Sequence, residues 1–114
     1  MITFPDFEEG TGPILMLNMV KFKDRRLYFK DHIPAFYRVV KDLGIQNAKI
    51  FLSSDVLANI VASEGENWDA VVLVEYPSFA AFKTMSDSYQ TIAKPLRAAA
   101  VEDTKLFVTR RTED

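Results

Sequence analysis

A few side chains in this sequence are of kinds that do chemistry and stand inside otherwise apolar patterns. His32 is the only histidine of the chain, flanked by Asp31 and Ile33. An imidazole titrates near neutrality and is the commonest general base or acid, so His32 is the first catalytic candidate. A lone histidine cannot build a multi-histidine metal site, and the chain has no cysteine, so no metal site is expected. Haem ligation lacks any supporting spacing motif, and no cofactor is expected. The plain alternative is a half-exposed histidine at the edge of a helix face.

Two further polar residues interrupt apolar runs: Asn18 in "ILMLNMVKF" and Glu75 in "AVVLVEY". A buried carboxylate must be paired, hydrogen-bonded or protonated. Glu75 is therefore either a raised-pKa acid or base, with Asn18 orienting a carbonyl, or a strand-end carboxylate satisfied by a basic group, solvent or a helix N-terminus. In the second case Asn18 bridges two subunits. Tyr37, Tyr76, Tyr89 and Arg97 are candidate ligand-binding residues, although aromatic stripes at helical spacing also form cores. Arg97 could pair with Glu75 or anchor an acidic ligand. Trp68, at a strand entrance, reads as a plug for one end of the core. The sequence shows no phosphate-cradling glycine loop, serine elbow or spaced carboxylate pair.

The elements that must position these residues follow from periodicity. Residues 1–12 form an irregular lead-in that Phe4 and Phe7 could pin to the body, and residues 13–111 form one domain. Residues 14–22 and 69–76 read as strands apolar on both faces. In 24–44, Phe29, Ile33, Phe36, Val40 and Leu43 recur at helical spacing, and Gly44 supplies the cap. Pro34 within that pattern predicts a kink, or else a helix start capped by Asp31, and Phe29 keeping the period favours the kink. Residues 47–63 alternate around "SSD", read as a bent strand in preference to a hairpin. Ser78 caps a helix carrying Phe79, Phe82 and Met85. A further helical piece holds Tyr89, Ile92 and Leu96, and 103–111 is the last strand.

Strand, helix, strand, strand, helix, strand is the order of an α+β, ferredoxin-like split βαβ fold with an antiparallel-rich four-stranded sheet. The first and third strands are expected side by side, and parallel, at its centre. Both helices cover one face, yet both central strands are apolar on both faces. An uncovered apolar sheet face of that extent is unusual in a monomer. A homodimer packed sheet to sheet answers this, and the lead-in folding across the sheet of a monomer is the alternative.

Fourteen basic against sixteen acidic residues give a net charge of −2, which calls for neither nucleic acid nor a membrane partner. No run of apolar residues is long enough to span a bilayer, and the acidic start lacks the form of a signal peptide. A cytoplasmic protein is the expectation.

The segments "GPILMLNMVKFKD" (12–24), "WDAVVLVEYPSFAAF" (68–82) and "YQTIAKPLRAAAVEDTKLFVTRR" (89–111) together resemble a small uncharacterised bacterial family, a domain of unknown function in the dimeric α+β barrel superfamily. The resemblance implies a ferredoxin-like fold, a face-to-face homodimer and a pocket between sheet and helices. It implies no established reaction. The wider superfamily includes cofactor-independent monooxygenases, isomerases, small cyclases and haem-binding members. Two functions follow as expectations. One is binding of a small apolar or aromatic carbonyl-type ligand, with or without catalysis of those kinds. The other is a non-catalytic structural or interaction module whose dimer is its functional form.

Overall fold

The computed structural model describes residues 4–92 and 94–112. Strands β1 (Ile14–Phe22), β2 (Lys49–Asp55), β3 (Ala70–Tyr76) and β4 (Val101–Thr109) form one sheet in the order β2-β3-β1-β4. Helices α1 (Arg25–Leu27) and α2 (Ile33–Asp42) lead from β1 to β2, and α3 (Phe79–Ile92) and α4 (Lys94–Ala100) lead from β3 to β4. This is the ferredoxin-like split βαβ arrangement of the α+β class. One expectation is corrected. β1 and β3 pair antiparallel, not parallel, as do the other neighbours. The first crossover sets β2 parallel to β1 but two places away. The chain then turns back, so β3, which fills the gap, runs against both.

Alternation decides what each strand residue meets. Ile14, Met16 and Val20 of β1 and Ala70, Val72 and Tyr76 of β3 are buried. Ile14, Met16 and Tyr76 pack with Phe36, Val39 and Val40 of α2 and with Phe79, Phe82 and Met85 of α3. Val20 and Val72 pack with Tyr28 and Ala100. Each such side chain contributes about 1.5–3 kcal/mol on burial, so this layer is the core of the molecule. Trp68, as expected of an end plug, is buried too.

The alternate residues form the opposite, helix-free face. The strand register aligns Leu52, Leu73, Leu17 and Phe107 in one row across all four strands. Leu52 and Phe107 remain 49% and 47% exposed. The described residues of the lead-in leave this row half-exposed. Phe4 and Phe7 instead meet the rings of Phe79 and Phe82 on α3, with centroids 4.9–6.1 Å apart.

The caps follow the sequence: Ser78 Oγ accepts from Ala81 N–H, and Gly44 takes φ +69° after α2. Pro95 stands in the first turn of α4, where a missing N–H costs little. Two expectations change. The strand of 47–63 does not run on through a bend at Ser53–Asp55, nor make a hairpin there. β2 bulges earlier, between Ile50 and Leu52, and ends at Asp55. Asp55 is held by both guanidinium nitrogens of Arg25, at 2.7 and 3.2 Å. Beyond it Leu57, Ile60 and Val61 stand 95%, 91% and 96% exposed in a loop. Alternation alone cannot tell a strand from an extended loop without a pairing partner. The last strand also lies slightly earlier than its alternation suggested, at 101–109.

The disturbance expected at Pro34 takes the form of a π turn over Tyr28–His32, closed by Ile33 N–H donating to the Tyr28 carbonyl. Proline has no N–H to offer the turn before it, and the helical path widens there and continues. The extra residue in that turn rotates the buried face. Tyr28, His32, Ala35, Phe36, Val39 and Val40 point inward, whereas Phe29 and Ile33 are half-buried and Leu43 is exposed.

Candidate functional site

Between the helices and the covered sheet face lies a cavity of about 80 Å³. Its apolar wall comes from Met16, Ile33, Phe36, Ile50, Val74, Phe82, Met85 and Leu106. The polar groups among its lining residues are Asn18, Tyr28, His32, Tyr76, Ser86, Tyr89 and Arg97. An apolar cleft with a few convergent polar groups is the usual form of a small-molecule site.

The π turn sets the central group. Its added residue shifts the register of the inward face, so that Tyr28 and His32 point inward together, their rings stacked at 4.9 Å and 20°. His32 is only 6% exposed, in contrast to the half-exposed edge position that a regular helix predicts. Its Nε2 shares a hydrogen bond with the Tyr89 hydroxyl of α3. Its Nδ1 has no hydrogen-bond partner among the described residues. Burial, reinforced by the positive charge of Arg97, lowers the imidazole pKa to about 4, so the ring is neutral at physiological pH. Burial raises the phenol of Tyr89, partly offset by Arg97, and that of Tyr76 likewise. Tyr28 is raised in the same way. The three phenols therefore keep their protons. Between a neutral phenol and a neutral imidazole the ring nitrogen is the better acceptor. Tyr89 thus donates to Nε2, and the imidazole proton resides on the bare Nδ1.

Arg97 reaches the cavity from α4. Its Nη2 donates to Thr104 Oγ1 at 3.3 Å, and that hydroxyl in turn donates to the Met19 carbonyl at 2.9 Å. Among the described residues Arg97 supplies the cavity's only charged lining side chain, and no carboxylate lines it. Its field acts on Tyr28, His32, Tyr76 and Tyr89 alike. Asn18 Nδ2 donates to the Met16 and Val72 carbonyls, both at 3.2 Å. Asn18 therefore lies on the pocket side, and does not reach across the helix-free face to a second subunit.

Of the residues expected from the sequence, Asn18, His32, Tyr76, Tyr89 and Arg97 come together and two do not. Glu75 points to the helix-free face, beside Leu15 and facing Lys49 Nζ at 3.8 Å. It lines a separate surface depression with Arg110 and Arg111. The expected Glu75–Arg97 pair is not formed, because neighbouring strand residues and the α4 side chain lie on opposite sides of the sheet. Tyr37 is 40% exposed and its hydroxyl accepts from Ile50 N–H at 2.9 Å, fastening α2 to β2 outside the cavity. Sequence reasoning missed Tyr28, Ser86 and Thr104. Tyr28 carried a signal: it lies four residues before His32, the spacing of one helix face.

No family model matches the chain, and no curated protein matches it. Among solved structures it is similar to RPA0582, a protein of unknown function from Rhodopseudomonas palustris, at 28% identity and a TM-score of 0.74. That match covers 93% of this chain and 87% of the other. The methylated RPA0582 protein gives 27% identity and the same TM-score over 92% and 84% of the two chains. A dabb family protein with a ferredoxin-like fold from Mesorhizobium loti stands further off, at 14% identity and a TM-score of 0.49, over 90% and 100%. The chain thus shares its fold with uncharacterised proteins. Among the described residues no helix is long and apolar enough to cross a membrane.

Proposed function

We propose that this protein binds a compact apolar or aromatic carbonyl compound in the cavity between sheet and helices. The observation that carries the reading is His32: an imidazole kept neutral by burial, bonded to Tyr89, with an Nδ1 unpartnered among the described residues, in a cavity lined mainly by aromatic and aliphatic groups. A buried N–H with nothing to donate to costs about 1–3 kcal/mol, and a ligand oxygen would relieve it. Neutral donors beside a fixed cation also suit chemistry in which negative charge develops on a carbonyl oxygen. Cofactor-independent isomerisation, cyclisation or monooxygenation are the reaction classes of that kind. His32 is the residue to carry it, with Tyr89 fixing its ring and Asn18, Tyr76 and Arg97 binding. Glu75 has no part, since it belongs to the other face.

The working form in this reading is a homodimer through the helix-free face. The half-exposed apolar row Leu52, Leu73, Leu17 and Phe107 supports it. Light scattering tests the assembly: a mass of one 13.0 kDa chain at micromolar concentration contradicts it. A thermal-shift screen of quinones, lactones and aromatic ketones tests the pocket. Stabilisation by a member of these classes that His32→Ala abolishes is expected. No shift with any of them, in a well-folded protein, favours a non-catalytic module whose dimer is its functional form.

A further inference from the structure

Resting on that reading, we infer that the ligand carries a fixed negative charge, a compact carboxylate held by the guanidinium of Arg97 with its carbon skeleton against the aromatic wall. The reason is charge balance. The lining contains, among the described residues, one cation and no acid. Among the described residues Arg97 has no carboxylate partner, and one bond to Thr104 Oγ1 occupies only a fraction of a guanidinium's five donors. Four other basic side chains among the described residues meet acids, in pairs open to solvent: Arg25 holds Asp55, Lys105 holds Glu66, Lys49 faces Glu75 and Lys21 faces Glu102. Arg97 is instead tethered through Thr104 to the backbone of β1, which fixes a half-buried cation beside neutral aromatic groups.

The remaining polar groups agree with that assignment. The bare Nδ1–H of His32 and the hydroxyls of Tyr28, Tyr76 and Ser86 can all donate, and among the described residues no lining group carries a charge that would repel an anion. A planar guanidinium favours carboxylate over a neutral amide or ketone because it offers paired donors and charge together. The cavity volume of about 80 Å³ corresponds to roughly two to three waters, enough for a carboxylate and a few carbons, with any larger ring lying toward the open side.

The test is a set of matched pairs titrated by NMR into the folded full-length protein: acetate against acetamide, and benzoate against benzamide. Each carboxylate is expected to bind at least tenfold more tightly than its amide, with the resonances of His32 and Tyr89 moving. In Arg97→Met that preference is expected to collapse to near unity while the amide affinity stays. Arg97→Lys keeps part of it, and serves if the methionine variant folds poorly. Equal binding of acid and amide overturns the anionic assignment and leaves the pocket standing. A preference that survives Arg97→Met also overturns it. If neither member of either pair binds, the pocket reading itself fails.

Discussion

The two faces of one sheet are made by alternate residues of the same strands, yet they do opposite things. Val72 and Val74 look toward the helices, a core and a cavity holding a neutral imidazole. Leu73 and Glu75, each one residue away, look toward a helix-free surface of apolar rows ended by a solvent-screened ion pair. Polarity on the first face is sparse, buried and mutually arranged; on the second it is peripheral. A buried polar group is therefore informative only once its face is known. Glu75 and Asn18 look equivalent in sequence and lie on opposite sides.

The strongest way to break this comparison is to put the same charge on each face. Val72→Asp buries an unpaired carboxylate in the core, costs several kcal/mol and leaves the chain unfolded by circular dichroism. Leu73→Asp is expected to keep the fold but to run as a monomer with a lower melting temperature. Unfolding by Leu73→Asp under conditions where a wild-type monomer folds, or an intact dimer, would erase the distinction.

Next in size is the pH dependence of stability. The fold holds His32 at a pKa of about 4 against an ordinary 6.5, so between these values the unfolded chain binds a proton that the folded chain refuses. Stability is complete above pH 6.5, falls as the pH drops toward 4, and loses no more from this residue below that. The loss is on the order of 3 kcal/mol. Denaturant melts of the wild type and of His32→Gln across this range should differ in slope; parallel curves count against the buried neutral ring.

Smaller again is the contrast between two tyrosines. Tyr89→Phe deprives the buried imidazole of its partner and should cost about 1–3 kcal/mol. Tyr37→Phe removes only a hydroxyl at the exposed edge of β2 and should cost about 1 kcal/mol or less. Chemical denaturation distinguishes them, and a reversed order would mean that the cavity does not hold its polar groups as described. Smallest of all, Glu75→Gln should change stability by less than about 0.5 kcal/mol and leave carboxylate binding unaltered, since its partner Lys49 is largely exposed.

Much of this architecture was legible in the residues. Two strands apolar on both faces announced the central pair, Ser78 and Gly44 announced helix ends, and the crossover pattern announced the sheet. The uncovered face followed from counting helices against faces. What was not legible has particular causes. The inward position of His32 depends on a π turn, and a 3.6-residue period has no place for an added residue. The direction of β3 follows from how a gap in the sheet is filled, which strand composition does not encode. Residues 56–61 carry strand-forming side chains, yet among the described residues they pair with no strand and lie in a loop. Arg97 and Glu75 could be paired on paper because sequence does not say which side of the sheet a long side chain approaches from.

The most direct measurement is an NMR titration of the single imidazole. With one histidine in the chain the ring signals are unambiguous. The structure predicts a neutral ring protonated on Nδ1 that begins to titrate only near pH 4, and whose signals move when a carboxylate ligand is added. A His32 signal that titrates near pH 6.5, and that no ligand perturbs while the protein is folded, would contradict the account.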